Sequence, residues 1–217
     1  MHSTYITDPL NEPVLLDELK DHLRLDGAAE DAGLGAFITT ARTLIEQHAD
    51  LVLVNRDIAL YLDRWPRTSA AGGDVPWWAG TASGAMSLLD RAASTALLPV
   101  RPVSSVASIA VVAPDDSETV WAADNYQLTP GLSSRITLVS GRRWPVPGRA
   151  ADGIKITLTA GFGPSWNSVP ASVRQAVLML ASYLYANRGD ARSDGSSGAI
   201  IASGAASLLA PYRERRL

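Results

Sequence analysis

Ile154-Lys155-Ile156-Thr157-Leu158-Thr159 alternates apolar and polar residues, and the chain changes rhythm soon after it. A period of two is the mark of a half-buried strand. Gly161-Phe162-Gly163-Pro164 then reads as a turn. Beyond it Pro170 sits in a first helical turn, and Val173, Val177, Leu178, Leu180, Ala181, Leu184 and Tyr185 form one broad apolar face at helical spacing. Gly189 is the expected stop. A strand followed at once by an apolar helix makes the class depend on how the remaining elements are ordered.

Working outward, helices lie at the ends and strands between them. Leu16, Leu19 and Leu23 keep helical spacing, with Asp17 and Glu18 at the start, where the helix dipole favours acids. Asp26-Gly27 is the expected stop of that helix. A second helix carries Leu34, Phe37, Ile38, Ala41, Leu44, Ile45 and His48 along one stripe, and Thr39, Arg42, Glu46 and Gln47 on the opposite face. Two short helices cannot bury these stripes alone, and the helix after Pro170 is their expected partner. Strands are expected at 58–63, 106–112, 120–128 and 135–139, with Pro114-Asp115-Asp116-Ser117 as a hairpin turn. The class is therefore α+β: 1–50 is helical, 51–163 is an inserted antiparallel sheet or small barrel with a loop at 67–95, 164–190 is a long helix, and 191–217 is a linker and C-terminal segment.

The chain has 217 residues, of which 47% are hydrophobic and 19% charged, enough to bury a sizeable core. Mean hydropathy is +0.05. No apolar run reaches the roughly 18 residues of a membrane span, and the N-terminus lacks the pattern of a secretory signal. Absence of cysteine excludes disulfide scaffolds, cysteine nucleophiles and thiolate metal sites. The net charge of −3 is unevenly spread, since residues 1–50 hold ten acids against three bases. Seventeen of the nineteen bases are arginine, the residue of bidentate and interface pairing.

Motifs of catalysis are missing. There is no Walker A, no G-x-G-x-x-G, no G-x-S-x-G and no H-E-x-x-H. His2, His22 and His48 have no metal-binding spacing, and His48 continues an apolar stripe. Asp115-Asp116 and Glu30-Asp31 read as a turn and a helix start, Asp190 to Asp194 lacks the rest of a cation loop, and Arg188-Gly189-Asp190 falls at a helix stop. No cofactor and no metal are expected. Two stretches instead point to interactions. A Gly/Ala/Ser-rich loop at 68–82 carries Trp77-Trp78, a candidate interface. Gly189 to Gly204 reads as a small-residue linker, followed by a tip with Leu208, Leu209, Tyr212, Arg213, Arg215 and Arg216.

The order of segments resembles the head–tail connector (adaptor, head-completion) proteins of long-tailed bacteriophages and gene transfer agents. The residues that carry it are the stretch from Glu12 to Asp26, Leu60-Tyr61-Leu62-Asp63-Arg64-Trp65-Pro66, Asp124-Asn125-Tyr126, Trp144-Pro145, Thr159 to Gly163, Val169 to Ala176, and Leu208 to Arg213. Leu15 departs from the pattern, standing where such proteins often place a Thr or Ser cap. The stretch around Trp77-Trp78 is longer than usual.

The resemblance implies a helical bundle with an inserted sheet and an extended C-terminal arm. It implies a structural virion protein, made in the bacterial cytoplasm, that forms a ring of about twelve copies beneath a portal. The ring lengthens the DNA channel without specific DNA binding and offers a platform to a stopper or tail-terminator protein, with no membrane partner. Portal docking then falls to Leu208, Leu209, Tyr212, Arg213, Arg215 and Arg216. Two other readings stay open: another ring-forming tail or baseplate protein, and a small hydrolase uniting His22 or His48 with a Ser and an Asp.

Overall fold

Strand β8 (Ile154–Ala160) forms where the alternation is cleanest, and Ile154, Ile156, Leu158 and Ala160 are all fully buried. The computed structural model describes residues 2–65, 94–188 and 195–213. Trp77, Trp78, Arg215 and Arg216 lie outside the described residues. The chain forms two units, one within Met1–Ile6, Asp57–Pro99 and Ser105–Thr159, the other within Thr7–Arg56, Val100–Ser104 and Ala160–Leu217.

The first unit holds the sheets. One has the order β1 (His2–Tyr5), β2 (Arg56–Leu62), β8, β4 (Val103–Val112), β5 (Glu118–Trp121). β1 and β2 are antiparallel, as are β4 and β5. β8 runs antiparallel to β2, because Thr159 bonds Asp57 at one end and the Asp152 N–H bonds Asp63 at the other. The second sheet has the order β3 (Thr95–Leu97), β7 (Arg135–Leu138), β6 (Tyr126–Thr129), all antiparallel. Both sheets are open, so no closed barrel is formed by the described residues. Ile58, Leu60, Ile109 and Ile136 are buried with β8. Each such side chain contributes about 1.5–3 kcal/mol.

Sequence and structure part at 120–128. The expected single strand is two, in different sheets, separated by a 3-10 turn at Ala123–Asn125. Ala122-Ala123-Asp124-Asn125 holds no β-branched residue, and the Asn125 side chain bonds back to the Ala122 carbonyl at 2.9 Å, a local alternative to a ladder. The hairpin turn is as expected. The Ala113 N–H bonds Ser117 O at 2.9 Å, and Asp115 accepts from the Ser117 N–H and hydroxyl. The Ser117 hydroxyl holds the Asp115 carboxyl below the usual carboxylate range.

The second unit holds the helices α1 (Leu16–Leu23), α2 (Asp31–Ala49), α3 (Ala171–Ala186), α4 (Gly195–Ala202) and α5 (Ala205–Leu209). α3 packs on α1, α2, α4 and α5. Its Val173, Ala176, Val177, Leu180 and Ala181 are buried with Leu19 of α1 and with Leu34, Ile38, Ala41 and Ile45 of α2. Leu15 offers α1 no capping oxygen, and Glu18 closes that end by accepting the Leu15 N–H at 3.0 Å. α1 stops at a left-handed Arg24, before the expected Asp26-Gly27, and α3 ends at Asn187, before Gly189.

Two further corrections concern this unit. Arg42 and Glu46 do not lie on a solvated face; they are 7% and 8% exposed. The 189–204 stretch is not linker throughout, because α4 occupies 195–202 and buries Ile200. Nor is the tip an extended arm over its described length, because Ala205 and Leu209 of α5 are fully buried.

Candidate interface surfaces

Arg42 and Glu46 are buried because they answer one another. Glu46 accepts from Arg42 Nη1 at 3.2 Å, from Arg56 Nη2 at 2.6 Å and from the Leu53 N–H at 2.9 Å. Arg42 Nε reaches Glu12 at 2.8 Å, and Glu12 also accepts from the Thr39 hydroxyl. Burial alone would lower the Arg42 pKa, but Glu12 and Glu46 more than offset it and raise it. The network fastens the segment before α1, the middle of α2 and the start of β2. Its centre, Arg42, Glu46 and Arg56, is buried, and only its Glu12 and Thr39 end reaches the surface.

The predicted docking tip is partly built into the helical unit. Leu209 is buried and Leu208 is half-buried. After a 3-10 turn at Ala210–Tyr212, the Tyr212 ring meets Phe162 edge-on at 6.1 Å, with its hydroxyl 3.2 Å from Ser172 Oγ. Arg213 is exposed. The structure thus places Leu208 and Leu209 on α5 and Tyr212 and Arg213 in and just after the following 3-10 turn, and describes nothing of Arg215 and Arg216.

His48 lies beside Arg213. Among the described residues its Nε2 is buried without a hydrogen-bond partner. Burial, then the Arg213 charge, lowers the His48 pKa below its ordinary value near 6.5, with Asp50 acting weakly the other way. The folded chain therefore binds fewer protons than the unfolded chain near and below that value, so stability rises with pH there. His48 contributes fully above pH ~6.5 and loses its contribution as the pH falls through the lower folded value. A His48→Gln variant is expected to lose less melting temperature than the parent between pH 7.5 and 5, read by thermal unfolding.

The sheet unit carries a surface that the sequence reading did not assemble. Trp65 and Trp144 stack at 4.2 Å, and Trp121 stacks on Tyr126 at 5.4 Å. Trp121 joins the two pairs, 6.2 Å from Trp65 and 5.9 Å from Trp144. The Trp65 indole N–H donates to Pro145 O at 2.9 Å. All four rings are half-buried, and partial burial raises the Tyr126 pKa. Arg64, Arg142 and Arg143 flank the rings in sequence and are exposed, as is Val146 at 82%. A signal was present: Arg-Trp-Pro occurs twice, at 64–66 and 143–145, and the structure stacks the two tryptophans.

The histidines do other things. His2 stacks on Tyr61 and lies 3.2 Å from Asp152, and His22 is exposed. Among the described residues no group of three or more His, Asp or Glu side chains is placed to hold a metal, and no helix is long and apolar enough to cross a membrane.

No protein-family model matches the sequence, and no curated protein matches it. Solved structures do. The chain is similar over 100% of its length to 97% of a chain in the neck of an empty gene transfer agent (GTA) particle computed with C6 symmetry, at 25% identity and a TM-score of 0.73. Coverage is the same for a chain in the virion of a native GTA particle, at 26% identity and 0.75, and for one in the neck of a native GTA particle computed with C12 symmetry, at 25% and 0.71.

Proposed function

We propose, starting from this end-to-end likeness to components of gene-transfer-agent necks, that the chain is the adaptor of a head–tail neck. It forms a ring beneath a portal, lengthens the DNA channel and seats a stopper or tail-terminator. The observation that carries the reading is the full-length match to chains in two neck structures and one virion structure of gene transfer agents, with both units included. Sixfold and twelvefold symmetry in those necks supports a ring, and we put it at twelve copies. A heterologous interface closes into a ring when its rotation permits. A net charge of −3 fits a wall that does not hold DNA, since neutralisation of phosphates by Lys and Arg drives nonspecific binding.

Portal docking is assigned to the C-terminal end. Buried Leu209 anchors the segment, while Leu208 and Tyr212 offer apolar surface and Arg213, Arg215 and Arg216 pair with portal acids. The test is the mass of the purified chain by light scattering, alone and mixed with its portal. A portal-bound ring of about twelve copies is expected, and a chain that ignores the portal overturns the adaptor reading in favour of another tail component. Deleting 205–217 removes buried Ala205 and Leu209, so the sharper variant is Arg213→Glu with Arg215→Glu and Arg216→Glu. It is expected to weaken portal binding by about tenfold or more, and unchanged binding overturns the docking assignment.

A further inference from the structure

We infer that the Arg-Trp-Pro surface of the sheet unit is the contact to an acidic helical surface, around α1, of a second copy of this chain. The inference rests on the ring reading and names the surfaces that meet within the ring.

Tryptophan, tyrosine and arginine are the residue types that dominate binding energy at protein interfaces, and here four aromatic rings are gathered with three arginines. The surface is already organised. The Trp65 N–H is satisfied by Pro145, and the rings hold one another in stacks, so little freedom is lost on binding. Arg142 is likewise placed by a tight turn, in which its N–H bonds Val139 O at 3.0 Å and Gly141 has φ +79. Arg64, Arg142 and Arg143 are exposed and make no ion pair among the described residues.

Charge chooses the partner. Asp17, Asp21 and Asp26, on and just after α1, are exposed and likewise without an ion pair among the described residues; Lys20 pairs with Asp31 at 2.8 Å and attracts Asp17 and Asp26 at longer range, and exposed Arg24 offsets part of the negative charge. Among the described residues the same chain thus carries a basic surface without an ion pair on one unit and an acidic surface with excess negative charge on the other. Copies that meet head to tail satisfy both at once. Nucleic acid fits the arginines less well in context. Single-strand binders offer open ring faces to bases, whereas these rings cover faces of one another in two stacks.

Charge reversal in the full chain tests this. Arg142→Glu with Arg143→Glu is expected to raise the concentration for half-assembly, alone or on the portal, by about tenfold or more. Asp21→Arg with Asp26→Arg is expected to do the same, and the chain carrying all four changes is expected to regain assembly. These positions are exposed, and an unchanged melting temperature confirms that each variant folds. If assembly persists unaltered in the arginine variant, this contact is wrong and the ring reading stands. If the arginine variant is impaired and the acidic changes do not restore it, the partner surface is wrong. If the parent binds a DNA fragment, and the arginine variant loses that binding while assembling normally, the surface serves DNA and the inference fails. A parent chain that never self-associates, alone or with portal, overturns the ring reading and this inference together.

Discussion

Replacing Glu46 with alanine is expected to cost the fold about 3–5 kcal/mol, read as a lower denaturant midpoint at unchanged slope. The reason is asymmetry. Glu46 is the shared acceptor of Arg42, Arg56 and the Leu53 N–H, and its removal leaves two buried guanidinium groups with one fewer carboxylate and a buried donor with none. Arg42 keeps Glu12, which lies nearer solvent and limits the loss. Glu46→Gln retains an acceptor for Leu53 and is expected to lose less than the alanine variant. If Glu46→Ala matches the parent in stability, the network is not the tie between α2 and Arg56 described above.

Gly161→Ala is expected to be nearly as damaging, at about 3 kcal/mol or more. Gly161 adopts φ +137, a region that side chains rarely enter, and an added Cβ would lie 2.5 Å from the Asn55 backbone nitrogen. The collision is with backbone, so no rotamer change relieves it. Three chain segments meet here: Gly161 N–H bonds Pro102 O at 2.9 Å, Phe162 N–H bonds Leu53 O at 3.2 Å, and Asn55 N–H bonds Gly163 O at 2.9 Å. Urea unfolding measures the loss, and an amide-exchange experiment should place the first loosening at Asn55 and Phe162.

What the sequence made legible was what local periodicity encodes. β8 and α3 announce themselves because each buries one face, and burial forces a rhythm on the residues. The hairpin at 114–117 was legible through the side-chain chemistry of Asp115 and Ser117. What was hidden depends on distant partners. Arg42 and Glu46 look solvated until Glu12 and Arg56 arrive from other segments. The Gly/Ser-rich run of α4 has poor helix propensity, and it is helical because Ile200 packs in a core that α2 and α3 supply. The aromatic surface draws on four positions from 65 to 144, and only the repeated Arg-Trp-Pro hinted that two of them meet. The C-terminal segment stood out by its composition, but the burial of Leu209 within the helical unit did not.

The division of the chain into units also governs how it is made. The helical unit begins at Thr7, yet α3, which covers Leu34, Ile38 and Ile45, starts only at Ala171. On a translating ribosome α1 and α2 therefore emerge with their apolar stripes bare and wait for more than a hundred further residues. At about 5–20 residues per second that wait is on the order of ten seconds. During it the nascent chain offers hydrophobic helices to any chaperone or sibling chain within reach. The sheet strands, made in the interval, have most of their partners by Ala160. The helices made first in this unit are among its last parts to be finished.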